Sequence, residues 1–523
     1  MGKKDKKKGK GAEKTALKTE KKALKSLKKD LAAKGEVDIA KLIAKSQEKD
    51  KKIQASSIEP CSQPSPRSGF TLCPHPDKDE LILFGGEYFN GSETTMFNEL
   101  YIYNIKKDKW SILKCPVAPP PRCSHQAIVV SQNGGQMWIF GGEFASPTKC
   151  SFYHYRDLWV LHFATMTWEQ VKAPGGPSAR SGHRMVVSRK QIVLFGGFYE
   201  IIGDYKYFND VHIFNLETYT WTKVEPTGKV PSPRSGCLMA PLTDGRILVY
   251  GGYSRERVKK DVDKGTSYTD LYYLQADERT GTQKWKWVQS KSSGLPPSPR
   301  SGLSVAVTVN NFAYAFGGVH DEQDEDELLS GIFQSDLYQL ELEKGRWTLI
   351  TPQGKGSKIE KRRRRKAKED EKEGESEEED IAEELEKTTI SEAAATTYDD
   401  SIFTVKIGAS ASQSTSGDAG ASSADKAASA DVFIPKARMN AGMVIKNGIL
   451  YLYGGTYEEG DKQLTLSDFH ALNIHKVDEW RTLVPFVAEK IEWIESEESE
   501  SDEDDADMDE EDDSDEDDGM DTS

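Results

Sequence analysis

The sequence predicts an all-β fold, a six-bladed propeller with charged segments at both ends and one within it. Three observations carry the prediction. Short apolar strands ending in a Gly-Gly doublet recur six times. An acidic residue and then a tryptophan follow each doublet in step, and an arginine opens every unit. No single unit of this size can bury both of its faces, so the copies must pack on one another.

Residues 179–224 show the unit at its plainest. Four segments rich in β-branched and aromatic residues are separated by Gly, Asn and Thr, which reads as four successive strands. Residues 192–195 are uniformly apolar, as a strand covered on both faces requires. Gly196-Gly197 ends that run, where backbone approaches too closely for a side chain. Asp210 follows, and then Trp221, a ring large enough to cover a sheet.

The same marks recur in order along the chain. The doublets are Gly85-Gly86, Gly141-Gly142, Gly196-Gly197, Gly251-Gly252, Gly317-Gly318 and Gly454-Gly455, the first four spaced by 56, 55 and 55 residues. The acids are Glu99, Asp157, Asp210, Asp270, Asp336 and Asp468. The tryptophans are Trp110, Trp168, Trp221, Trp287 (or Trp285), Trp347 and Trp480. The opening arginines are Arg67, Arg122, Arg180, Arg234, Arg300 and Arg438. A four-strand repeat of about 50 residues is the mark of a propeller blade. Blade 6 departs from the pattern, with Met439-Asn440-Ala441 where blade 3 has Ser-Gly-His. No swapped strand is evident, so closure is expected from packing between blades 6 and 1.

These markers resemble the kelch repeat, over residues 64–483 with one large interruption. The segments DELILFGGEYFNG, GGEFASP, FYHYRDLWVL, RSGHRM and GGYSRERVKKDVDKGT narrow the likeness to one subfamily. The resemblance implies a non-catalytic scaffold that binds another protein. In characterised kelch receptors the matching Arg and its neighbouring Ser line a pocket for acidic peptides. By resemblance, the partner-binding candidates are Arg67, Arg122, Arg180, Arg234, Arg300 and Arg438, with Ser68, Ser181, Ser235 and Ser301. A guanidinium fork suits a carboxylate. The other reading is that each arginine pairs with blade acids and backbone carbonyls and holds the ring together.

Charge divides the rest of the chain. The net charge of −16 hides a basic start, 19 Lys against 8 acids in residues 1–52, and 19 acids without a base in residues 495–523. The expected organisation is a basic arm at 1–58, blades 1–5 at 59–350, a low-complexity insert at 351–431, blade 6 at 432–486 and an acidic tail at 487–523. Arm, insert and tail lack the apolar content for a core and are expected to be disordered. Leu17, Leu24, Leu27 and Leu31 share one helical face within residues 13–34, so the arm is expected to be partly helical. Two basic stretches stand out, residues 254–269 in blade 4 and KRRRRKAK at 361–368, the latter suited to nuclear targeting. Ser499, Ser501 and Ser514 each precede an acid by three residues, which suits acidophilic kinases.

No catalytic residue, metal or cofactor is expected. The nine histidines form no ligand-like cluster, and His125 and His183 stand at equivalent repeat positions, as structural residues would. The six cysteines include no CxxC pair and read as scattered thiols. With neither a long apolar run nor a signal-peptide core, the protein is expected to be intracellular. The nucleus or nucleolus is the first choice and the cytoplasm the alternative. The expected partner is a protein. Two alternatives stay open, a nuclear or nucleolar factor whose basic arm contacts RNA or assembling ribosomes, and a ubiquitin-ligase substrate receptor.

Overall fold

The computed structural model describes residues 37–201, 204–259, 262–277, 284–323, 329–352, 396–400, 403–407, 432–460 and 462–487. The chain divides into two compact units, Met1–Thr351 with Ile434–Ser523, and Pro352–Phe433. Taken by itself, the smaller unit shows one antiparallel hairpin, Thr396–Asp400 with Phe403–Ile407. The basic cluster at 361–368, the predicted helix within 13–34, and Ser499, Ser501 and Ser514 lie outside the described residues.

The larger unit is the six-bladed β-propeller. In blade 3 the four predicted strands are Arg184–Ser188, Gln191–Phe195, Val211–Asn215 and Thr220–Val224, all antiparallel in that order. The innermost strands of the six blades are Thr71–Pro74, Gln126–Val130, Arg184–Ser188, Leu238–Pro241, Ser304–Val307 and Gly442–Lys446. They stand around a central channel. Each second strand is fully covered, as its unbroken apolar sequence demands; Ile192, Val193, Leu194 and Phe195 are all buried. The tryptophans complete the cores between neighbouring blades. Trp221 packs with Trp138 and Phe140 of blade 2, and Trp287 lies 5.2 Å from Phe195 of blade 3.

Among the described residues the ring closes on itself without a swapped strand. Strand Ser57–Cys61 crosses the expected boundary at 58/59, and it pairs with Lys109–Lys114 of its own blade. Closure comes instead from Phe70, Tyr103 and Trp110 of blade 1 packed on Tyr453 and Phe469 of blade 6. Backbone bonds add to it: Gly455 N–H donates to the Arg67 carbonyl at 3.0 Å and Arg67 N–H to the Leu466 carbonyl at 3.2 Å. Gly455 has φ +102°, and a Cβ there would stand 2.7 Å from the Met439 carbonyl oxygen, so only glycine fits.

Two features go beyond the repeat pattern. Helix α1, Ile39–Lys51, begins at Asp38, whose Oδ1 accepts from Ala40 N–H at 3.1 Å. It reaches blade 1 through Asp50 Oδ2, which accepts from Asn98 Nδ2 at 2.8 Å. Between the second and third strands, every blade also raises a hairpin on one face of the ring. Glu87–Phe89 pairs with Thr94–Met96, Glu143–Ala145 with Phe152–His154, Phe198–Ile201 with Asp204–Tyr207, and Val319–Gln323 with Leu329–Phe333. In blades 4 and 6 the strands Ile247–Lys259 with Val262–Asp277, and Ile449–Glu459 with Lys462–Asn473, simply run on into it. These hairpins form a crown. The basic stretch at 254–269 lies within it, and Arg255 sits 4.8 Å over the Tyr205 ring of the blade 3 hairpin.

Candidate functional site

The repeat arginines lie inside the ring wall. Arg67, Arg122, Arg180, Arg234 and Arg438 are 0% exposed and Arg300 is 5% exposed. Each guanidinium donates to the carbonyl of the first glycine of its own doublet: Gly85, Gly141, Gly196, Gly251, Gly317 and Gly454, at 2.9–3.2 Å. Each Nε donates to the carbonyl two residues earlier. The repeat acid takes the remaining edge. Asp157 accepts from both Nη atoms of Arg122 at 2.8 and 2.9 Å, Asp210 from Arg180 at 2.6 and 3.0 Å, and Asp468 from Arg438 at 2.6 and 2.7 Å. Asp270 holds Arg234 in the same fork, and Asp336 meets Arg300 through one Nη. Blade 1 is looser, with Glu99 3.7 Å from Arg67.

This geometry corrects the position expected for the arginines. They do not project into an open mouth. Each Nε and Nη1 donates within the blade, because a guanidinium buried this deeply must be neutralised and hydrogen-bonded. The alternative weighed from the sequence, pairing with blade acids and carbonyls, describes what is seen. Burial alone would raise the Asp468 carboxyl, yet the bonds and charge of Arg438 and His470 hold it down at about 2.

The serines divide. The backbone of Ser68, Ser181, Ser235 and Ser301 bridges to Glu87, Phe198, Tyr253 and Val319, tying each inner strand to the base of its crown hairpin. Ser235 and Ser301 line the channel. Ser181 Oγ lies 2.7 Å from His154 Nδ1 in the wall. His125 and His183 are buried, ring edges against Phe84 and Phe140. Burial, reinforced by Arg122, pushes His125 down to about 3, so it stays neutral.

The channel has a volume of about 670 Å³ and opens among the crown hairpins, whose first residues Phe198 and Tyr253 form part of its rim. Its described lining holds one charged side chain, Arg184, and no carboxylate. Arg184 Nε donates to the Cys237 carbonyl at 2.6 Å and Nη1 to the His183 carbonyl at 3.4 Å. Among the described residues no carboxylate pairs with it. Burial draws its guanidinium below the ordinary range. The sequence placed Arg184 in full view, four residues past Arg180. Nothing marked it there, because the other blades carry Thr71, Gln126, Leu238, Ser304 and Gly442 at that position.

Higher in the wall, Glu143 stands beside Glu87, and its Oε2 lies 3.4 Å from His154 Nδ1. Burial and then the Glu87 charge raise the Glu143 carboxyl to about 8, while burial lowers His154 to about 4. Both groups are therefore neutral near pH 7. Among the described residues, no group of three His, Cys, Asp or Glu is arranged to hold a metal ion. None of the described helices is long and apolar enough to cross a membrane.

Fold and repeats together define a β-propeller whose blades share an arginine–glycine latch, closed by an Asp in blades 2–6 and met more loosely by Glu99 in blade 1. A family model described as the FBX42 beta-propeller domain matches residues 67–266. One described as the KLHDC2/KLHL20/DRC7 Kelch-repeats domain matches residues 177–368. Between them the two models match residues 67–368, and the second is a kelch-repeat model. Among curated relatives, Host cell factor 2 of Homo sapiens is 33% identical over 201 residues, which is 36% of this chain and 22% of that protein. Acyl-CoA-binding domain-containing protein 5 of Arabidopsis thaliana is 27% identical over 265 residues, 50% of this chain and 36% of that protein. F-box/kelch-repeat protein At1g51550 of Arabidopsis thaliana is 29% identical over 304 residues, 53% of this chain and 61% of that protein. The chain thus spans less than two thirds of the length of these relatives.

Proposed function

We propose that this chain is a non-catalytic protein-interaction scaffold that receives an acidic peptide segment at the crown end of its channel. One observation carries the reading: Arg184 is the only charge in the described channel lining, and no carboxylate among the described residues answers it. Its Nε is fixed on the Cys237 carbonyl, so the guanidinium is held in place before a ligand arrives. A partner's carboxylate would relieve a partly desolvated cation, and only there, since the six repeat arginines already have acids. The aromatic crown offers Tyr153, which is exposed, beside Tyr155 at 5.1 Å, side chains of the kind that dominate protein interfaces.

The test is selection of short random peptides displayed on phage against the full chain, followed by binding measurements on the selected peptides. Acidic sequences should be enriched, and Arg184→Gln should weaken them about 10- to 100-fold, as loss of a charge-assisted hydrogen bond does. Selection without acidic bias, or equal binding to Arg184→Gln, would remove the reading.

A second reading, ligase substrate receptor, draws support from the F-box in the name of one relative. It calls for an adaptor, and co-purification of a cullin complex with the full chain would separate it from a free-standing scaffold. At a finer grain, the insertions at 79–91, 141–147, 152–161, 180–185 and 251–266 resemble those of kelch domain-containing protein 4, a likeness resting on those segments.

A further inference from the structure

The blades are stitched together near the crown by the same three backbone hydrogen bonds. Between blades 1 and 2, Arg122 N–H donates to the Phe97 carbonyl at 3.0 Å, Gly86 N–H to the Arg122 carbonyl at 2.9 Å, and Ser124 N–H to the Gly69 carbonyl at 2.8 Å. The set recurs between blades 2 and 3, 3 and 4, 5 and 6, and 6 and 1. Among the described residues, none of the three joins blades 4 and 5. The counterparts would run from Arg300 N–H to the Tyr268 carbonyl, from Gly252 N–H to the Arg300 carbonyl, and from Gly302 N–H to the Gly236 carbonyl.

Two independent observations mark the same place. A Cβ on Gly69, Gly182 or Gly302 would meet the next blade's Cys123, Ser235 or Met439 at 3.1, 3.1 and 2.8 Å. At Gly236 it would meet nothing within 4 Å. Across the junction, Ser304 opens the inner strand of blade 5 and lines the channel; it is 3% exposed, and its Oγ has no hydrogen-bond partner. The far end of the junction is closed. Thr243 N–H donates to Asn311 Oδ1 at 2.8 Å and Tyr273 OH to the Leu342 carbonyl at 2.8 Å, while Tyr250, two residues before Gly252, packs 4.9 Å from Trp347 between the two ends. The seam is therefore a wedge in bonding, unstitched toward the crown and the channel and tied at its other end.

Its edges carry backbone N–H and C=O groups that every other junction pairs, and Gly252 and Arg300 are buried. Buried backbone groups are almost always paired, and a row of them is what an extended main chain recognises. We propose that the blade 4–blade 5 seam takes the main chain of an extended peptide from a partner protein, entering from the crown. The inference rests on the reading of the chain as a scaffold for protein segments, and it says where the backbone of such a segment lies. Charge complementarity agrees: Arg184 is anchored on Cys237, the residue after Gly236, so an acidic side chain of the same peptide reaches the guanidinium beside the seam.

The experiment measures amide hydrogen exchange of the full chain, alone and saturated with each display-selected peptide, whatever its charge. Protection should appear at the amides of Gly252, Arg300 and Gly302. Gly236→Asn fills the wedge on a backbone the ring already tolerates, since Asn440 and Ser124 hold positive φ at the equivalent positions. It should weaken binding at least about tenfold. Ser304→Ala should weaken it several-fold with an unchanged melting temperature. Protection confined to the crown hairpins, or undiminished binding to both variants, overturns the proposal, as does failure to select any peptide. Peptides without acidic bias that still protect these amides would sink the Arg184 reading and leave the seam standing.

Discussion

The backbone N–H of Gly455 meets the carbonyl of Arg67 at 3.0 Å, and through that bond the last blade holds the first. Because a Cβ at residue 455 would press on the Met439 carbonyl, Gly455→Ala should cost roughly 2–4 kcal/mol, a strained φ plus a backbone clash. Gly460→Ala, where nothing lies within 4 Å, should cost only about 1 kcal/mol. Denaturant unfolding of the two variants checks this; equal losses would mean that the close approach of residue 455 to Met439 and Ala441 within blade 6 does not limit what the ring tolerates there.

The latch makes a second prediction. Arg438→Leu leaves Asp468 buried without its partner and should destabilise the ring by about 3–5 kcal/mol. Glu99→Gln in blade 1 removes a longer contact from a partly exposed carboxylate and should change stability by under about 1 kcal/mol. The contrast is read from denaturation midpoints.

Stability should also depend on pH with a determinate sign. His125 and His154 are depressed from 6.5 to about 3 and about 4, so the unfolded chain binds protons there that the folded chain refuses. Melting temperature should therefore fall as pH drops below 6.5, and His125→Gln should flatten the decline. Glu143 acts in the opposite sense. Its carboxyl is raised from 4.5 to about 8, so the folded state holds the extra proton and stability declines as pH rises between those values. Glu143→Gln should remove that part of the slope. A melting temperature flat across both ranges would contradict the burial of these groups.

The tryptophans test the packing between blades. Trp347 is 1% exposed and packs in the core shared by blades 4 and 5. Trp347→Ala should cost about 3–5 kcal/mol. Because the junction lacks the backbone stitching of the others and leans on such contacts, the variant should also speed exchange at Ser304 more than at Arg184, its counterpart in blade 3.

Much of this was legible in the residues. Strand, doublet, acid and tryptophan recur at fixed distances, and each mark has a local cause, so blade number and strand order followed from spacing. The role of the arginines did not. Arg122 and Asp157 are 35 residues apart, and only the folded blade shows that their charges satisfy each other. One signal was available: Phe97, Tyr155, Phe208 and Tyr268 each stand two residues before the repeat acid and stack on the blade's arginine at 4.0–4.2 Å. Arg184 was harder to recognise, since it belongs to no repeat mark and its importance lies in what the other five inner strands lack. The seam is an absence of bonds between blades, which no periodicity records.

The most direct measurement compares proximity labelling in cells by the intact chain, by Arg184→Gln, and by a chain lacking residues 1–52. Recognition at the channel predicts that a discrete partner set disappears with Arg184→Gln, at unchanged melting temperature, and survives removal of the arm. Partners that persist on Arg184→Gln and vanish with the arm would contradict it.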